Sequence, residues 1–297
     1  YDLDGTLVAR ADDLGAPNNV DLRLLLGRAI AAASDKDGAE IEVFTIDQAT
    51  GEPTVIEGAP FSARAEDEIY GICLYKADEA LFVFTTDKSG LIVQYELKET
   101  DKSASLTEMR ALRVDSQPEG CVVDDKARAL FVGEEDVGIW RFDAEPGADT
   151  TGTLIARTGE EGPLNADVEG LAIYEGESAD QGYLIASSQG DNTYAVFDRA
   201  APHAFLGRFQ VQFEGEIIGD TDGIEVTSRA LGERFPKGML VVQDGFVRTG
   251  GREGAQTLTG ERRQQRFAYV SWADVEAALG LGSETIATAP ASRNSAR

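Results

Sequence analysis

Four places in the 297-residue chain set an acid or a tyrosine directly before a glycine at near-constant spacing. They are Tyr70-Gly71, Glu119-Gly120, Glu169-Gly170 and Asp222-Gly223, and their glycines lie 49, 50 and 53 residues apart. Asp167 stands two positions before Glu169. A second polar set recurs about 15 to 20 residues after each pair: Asp87-Lys88-Ser89-Gly90, Glu134-Glu135-Asp136, Gln189-Gly190-Asp191 and Gln243-Asp244-Gly245. Nearly all of these side chains offer oxygen. Carboxylates gathered in one place raise one another's pKa unless a cation intervenes. Carboxylates, amide oxygens and glycine-freed carbonyls are what the roughly six to eight oxygen ligands of calcium call for, whereas magnesium would want a tighter octahedron and keep more water. The competing reading is that these acids only end strands and face solvent. Other chemistry is poorly supplied. A single histidine, His203, leaves little for a His-ligated metal. Two cysteines, Cys73 and Cys121, cannot form a zinc cluster and make a poor disulfide framework.

Such residues can meet only if the chain repeats a structural unit. After each aligned glycine comes an apolar run, a turn and a second apolar run: Ala80 to Phe84, Ala129 to Val132, Tyr183 to Ala186 and Met239 to Val242. A third stretch ends in a hydrophobic-acid pair, at Tyr1-Asp2, Ile46-Asp47, Tyr95-Glu96, Phe142-Asp143 and Phe197-Asp198. Short β-rich runs repeating at this interval fit propeller blades, and the 32 glycines suit the many tight turns. A β-sandwich is the alternative. The spacing predicts an all-β, six-bladed β-propeller over residues 1–282, its first blade incomplete, with a polar, disordered tail over 283–297. Asp21 to Ala33 reads as strand, and Trp272 to Leu279 as a short helix with Ser271 at its N-cap. In a propeller, inner strands start at one face and the loops joining second to third strands return to it. Both polar sets are thereby predicted to share that face.

Composition narrows the partners. The 53 acidic against 27 basic residues give a net charge of -26, which argues against nucleic acid and against an anionic membrane surface. A hydrophobic content of 42% supports a packed core rather than a disordered chain. No apolar run approaches the roughly 20 residues of a membrane span. The chain opens on Tyr1-Asp2-Leu3 without a leader pattern and reads as a fragment or a processed chain.

As an ordered set, these stretches resemble the β-propeller phytases, calcium-dependent bacterial enzymes that remove phosphate from myo-inositol hexakisphosphate. The matching stretches are Asn18-Asn19-Val20-Asp21-Leu22-Arg23, Asp67-Glu68-Ile69-Tyr70-Gly71, Gln117-Pro118-Glu119-Gly120 and Gly133 to Trp140. They continue with Asp167 to Leu171, Ala186 to Gly190, Asp220 to Ile224 and Val242 to Gly245, over residues 1 to about 280. The resemblance implies several calcium ions, catalytic and structural. Glu119, Glu135, Asp167, Glu169 and Asp222 would hold the catalytic ones beside Tyr70. Asn19, the Val20 carbonyl, Gln189, Asp191 and Asp244 would hold stabilising ones. Lys88, Arg23 and Lys36, the last where the family usually has arginine, would meet substrate phosphates. Lysine there keeps the charge but loses the bidentate fork. Metal ions that acidify water and clamp a phosphoryl group would let a chain with one histidine hydrolyse phosphomonoesters, here of calcium-phytate. The resemblance also implies a monomer secreted or placed in the periplasm.

Three departures stand against the family pattern. An Asp-Asp-Pro stretch and a phosphate-binding lysine would lie upstream of Tyr1, Glu214 to Gly219 is a shorter and less polar loop, and Gly250 to Arg266 is rich in arginine. A non-catalytic, calcium-stabilised propeller scaffold is therefore the rival reading, and a calcium-propeller lactonase is disfavoured by Lys36 and Lys88. Asp2-Leu3-Asp4-Gly5-Thr6 matches the nucleophile motif of the haloacid dehalogenase phosphatases. No apolar strand precedes it and no strand-helix alternation follows, so it is read as a blade-end turn. Cys73 and Cys121 are expected to be small buried core residues, His203 a loop residue, and Trp140 and Trp272 packing anchors.

Overall fold

Arg28–Asp35, Ala80–Asp87 and Ala129–Glu134 are almost wholly apolar or small and almost wholly buried. A strand of that kind is stable only where both of its faces are covered. The computed structural model, which describes residues 1–12, 14–99, 103–160, 162–178, 180–245 and 266–282, shows what covers them: antiparallel sheets stacked side by side around an axis. The first blade runs Pro17–Leu25, Arg28–Asp35, Glu40–Ile46 and Pro53–Val55, with Phe61–Ser62 added to its third strand. The second runs Ile69–Ala77, Ala80–Asp87, Leu91–Glu99 and Ala104–Arg113. The third runs Pro118–Asp124, Ala129–Glu134, Gly138–Asp143 and Thr153–Arg157. The fourth is built from Val168–Glu175, Gly182–Ser188, Thr193–Asp198 and Phe205–Phe209. A small hairpin, Gln212–Phe213 with Glu216–Ile217, leads to the fifth blade of Ile224–Thr227, Met239–Asp244 and Arg266–Ser271.

Successive inner strands lie against one another, and the hydrophobic core sits between blades rather than within them. Ile30, Ile41 and Val43 of the first blade interdigitate with Leu74 and Val83 of the second. Phe84 packs with Leu130 and Val132 at the next boundary, Phe131 with Leu184 and Phe197 at the third, and Ile185 with Leu240 and Val242 at the fourth. A buried ion pair also crosses the third boundary, where Arg199 Nε donates to Asp124 at 2.5 Å.

The propeller expected from the repeats is present, but among the described residues it has five blades and not six. The six-blade count took Tyr1-Asp2 as the end of a third strand. Residues 1–10 contain no strand, and Asp2 instead accepts the amides of Asp4 and Thr6 at 2.9 Å, which makes a turn. The incomplete first blade of that count is the one Tyr1-Asp2 would have closed, and no strand of it is present among the described residues. Asp21 to Ala33 forms strand, bent at Leu26-Gly27 into the hairpin of the first blade. Trp272–Leu279 is the helix, with Ser271 at its N-cap position but making no side-chain capping bond. Trp272 is fully buried and stacks on Tyr174 at 4.3 Å between ring centroids. No helix of the described residues is long and apolar enough to cross a membrane. The expected tail over 283–297 and most of the arginine-rich run lie outside the described residues.

The cysteines depart from expectation. Cys73 and Cys121 form a disulfide that joins the inner strands of the second and third blades. They stand 48 residues apart, close to one repeat, so equivalent positions of neighbouring blades come face to face.

Candidate active site

Three of the four aligned glycines follow a site residue where the next blade comes too close for a side chain, whereas Gly223 has open space around it. A Cβ at Gly71 would lie 2.0 Å from the Glu119 carbonyl oxygen, one at Gly120 would lie 2.2 Å from that of Glu169, and one at Gly170 would lie 2.7 Å from that of Asp222. The backbone beside one site residue thus rests on the backbone of the next. Hydrogen bonds reinforce the arrangement. Gly170 N donates to Asp222 O at 2.7 Å, and Thr86 Oγ1 accepts from Gly71 N at 2.9 Å. At the start of the arc the Tyr70 carbonyl accepts from Ser34 Oγ at 2.6 Å and, more weakly, from the Asn18 and Asn19 amides.

This stacking brings three carboxylates together. Glu119 and Glu169 come from the starts of inner strands, and Glu135 comes from the loop after the second strand of the third blade. One ligand oxygen of each lies within 4.8 Å of the others. Glu119 and Glu169 are buried. Burial, first, and then the charges of Glu119, Asp222 and Glu135 hold the Glu169 carboxyl well above the ordinary range. Burial also raises Glu119, with Glu135 and Asp222 adding to it. Glu135 is raised for the same leading reason, although the Glu119 and Gln117 hydrogen bonds oppose the shift. Glu169 Oε2 is buried without a hydrogen-bond partner. Buried acceptors are ordinarily satisfied, so an oxygen left this way among like charges is the observation a cation would explain. The donor set is all carboxylate, which suits a hard divalent ion. The residues present therefore fit such an ion.

The flanks are polar and basic. Asp222 is held by amides: Gln189 Nε2 donates to Oδ1 at 2.9 Å, Gln243 Nε2 donates to Oδ2 at 3.2 Å, and Asp222 N donates to Gln243 Oε1 at 2.7 Å. Asp167 acts on Glu135 through its charge. On the other flank two ammonium groups lie over the Tyr70 ring, with Lys88 Nζ 4.6 Å and Lys36 Nζ 5.6 Å from its centroid, a favourable cation–π geometry. Lys88 also pairs with Glu68 at 2.9 Å, and that bond chiefly raises its pKa. Burial, and then the Glu119 charge, raise the Tyr70 phenol.

Glu119 and Glu169 of the first polar set meet Glu135 of the second here, as the shared face required. Arg23 and Asp191 stand apart. Arg23 binds Asp21 at 2.7 Å and Asp125 at 3.0 Å. Asp21 in turn accepts Leu74 N, four residues along the strand from Tyr70, so Arg23 lies deeper along the axis than the lysines. Asp191 ends a one-turn 3-10 helix, Gln189–Asp191, and its carboxylate is filled by donors. Burial would raise its pKa, but hydrogen bonds from Thr193, Asn165 and Ser188 lower it on balance. Asp244 is buried at the end of Met239–Asp244. Val20 is largely exposed and its neighbour Asn19 reaches the Tyr70 carbonyl. Sequence reasoning gave no role to Gln117, whose amide donates to Glu135 in a very short contact, or to Glu68 and Asn165. Gln117 and Glu68 lie in matched stretches two residues before Glu119 and Tyr70, and that position was the signal for them.

The chain matches the family model described as Phytase over residues 1–287. It is similar to the 3-phytase of Bacillus subtilis (strain 168), with 37% identity over 295 residues that cover 94% of this chain and 74% of the relative.

Proposed function

The chain belongs to the phytase family, and from that premise we propose that it is a calcium-dependent phosphoric monoester hydrolase that releases phosphate from myo-inositol hexakisphosphate. The observation that carries the calcium part is the orphaned Glu169 Oε2 inside a cluster of three carboxylates. Glu119, Glu135 and Glu169, with Asp167 and Asp222 beside them, would hold the ions. When bound, calcium would supply a Lewis acid that polarises a phosphate oxygen and lowers the pKa of a water.

The chain's own residues do the rest. Lys36 and Lys88 present two ammonium groups at the Tyr70 ring, where phosphates of a polyanionic substrate can be gripped. The Tyr70 ring holds both in place. Gln189 and Gln243 fix the orientation of Asp222, and Gln117 that of Glu135, so that the acceptors face inward before substrate arrives. Asn19, the Val20 carbonyl, Gln189 and Asp244 are proposed to hold stabilising calcium. The charge of -26 would repel bare phytate. Ions of charge +2 at the ring would reverse that locally and leave the rest of the surface acidic. The protein is read as acting as a monomer outside the cytoplasm, where the Cys73–Cys121 disulfide would persist.

The test is phosphate release from phytate by protein stripped of metal with chelator, followed by calcium titration. Activity should vanish on stripping and return with calcium. Full activity after exhaustive stripping would rule the reading out, and calcium binding without phosphate release would favour the scaffold.

A further inference from the structure

Asp191 differs from the carboxylates of the ring in what surrounds it. Its Oδ1 accepts the Thr193 hydroxyl at 2.6 Å. Its Oδ2 accepts the Asn165 amide at 2.5 Å and the Arg208 guanidinium at 2.7 Å. A carboxylate offers about four acceptor positions, so three donors, one of them a full positive charge, leave little for a metal ion. The arginine is delivered by strand register. Arg208 stands on Phe205–Phe209, opposite Ala195 of Thr193–Asp198, and Asp191 lies just before the latter strand. Asn192, left-handed at φ 54°, turns the chain between them. Among the described residues no lysine or arginine makes an ion pair with Glu119, Glu135 or Glu169, and there one buried oxygen has no partner at all. One site is filled by the chain's own cation and the other is not.

We propose that Arg208 takes the place of a cation at Asp191, so that this outer position of the fourth blade is closed by an internal ion pair and binds no calcium. The consequence reaches the ring. The turn that Arg208 holds also carries Gln189, which orients Asp222, and Asn192 Oδ1 accepts the Asp220 amide at 2.9 Å. This arm of the ring would therefore stay ordered when calcium is scarce. The inference rests on the calcium reading of the ring for its contrast, but its measurement counts ions and does not need turnover.

Stripped full-length protein is dialysed to equilibrium against calcium without phytate, and bound calcium per chain is counted. Asp191→Asn should bind as many ions as the parent, and Arg208→Lys likewise. Arg208→Ala, with Asp191 freed, should bind one more. Its melting temperature should fall in chelator and recover with calcium by more than the parent's does. One ion fewer in Asp191→Asn, or an unchanged count in Arg208→Ala, would overturn the proposal. A parent that binds no calcium would instead sink the reading of the ring, and the difference between parent and Arg208→Ala would still decide this one.

Discussion

Glu135→Gln should lower phosphate release at saturating calcium by at least about 100-fold, which corresponds to a loss of about 3 kcal/mol in transition-state stabilisation. The substitution keeps the size of the side chain and removes a charge. Glu135 is the one member of the three-glutamate cluster that comes from a loop rather than from an inner strand. Its carbonyl accepts Val168 N of the fourth blade at 3.0 Å, a backbone bond that the substitution leaves in place. Loss of the carboxylate removes a ligand from a site whose ion is proposed to stabilise the transferring phosphoryl group. It also relieves repulsion from Glu119, Glu169 and Asp167, so the melting temperature in chelator should hold or rise. A steady-state assay beside a thermal melt separates the two effects. Turnover within a few-fold of the parent would remove Glu135 from the mechanism.

The second large effect is on stability. In chelator the protein should lose stability as pH rises from about 5 to 8, and in excess calcium that loss should flatten. Glu119 and Glu169 have folded values raised above the ordinary 4.5, chiefly by burial. Through that window the folded chain holds protons that the unfolded chain has already released. Folding therefore binds protons, and stability falls as pH rises. One group can contribute at most about 1.4 kcal/mol per pH unit, and two hydrogen-bonded carboxyls titrate as a pair rather than singly. Calcium favours the charged forms and reverses the preference. Melting curves at several pH values with chelator and with calcium measure both slopes. Parallel curves would show that the cluster does not couple to the ion.

Much of this is legible in the sequence because the glycines do a job that leaves a mark in the chain. Gly71, Gly120 and Gly170 must be small where the next blade's carbonyl approaches, so their spacing reports the blade repeat and points at the acids beside them. The strand character of Asp21 to Ala33 followed from the same register, and the helix at Trp272 from its helical pattern after Ser271, but the bend at Leu26-Gly27 did not. The blade count did not, because Tyr1-Asp2 imitates a strand end while making only a turn. The disulfide was half visible: the repeat placed Cys73 and Cys121 at matching positions, but pairing needs the distance between inner strands. The family resemblance groups Arg23 with the lysines, yet its guanidinium binds Asp21 and Asp125. Arg208 belongs to no motif, and only its register opposite Ala195 brings it to Asp191.

The most direct test of the three-glutamate centre is a crystal structure of calcium-loaded protein with anomalous scattering recorded for calcium. An ion should appear within about 2.3–2.6 Å of oxygens from Glu119, Glu135 and Glu169, with Glu169 Oε2 among its ligands. A crystal form that hydrolyses phytate while those three glutamates hold no ion would contradict the account.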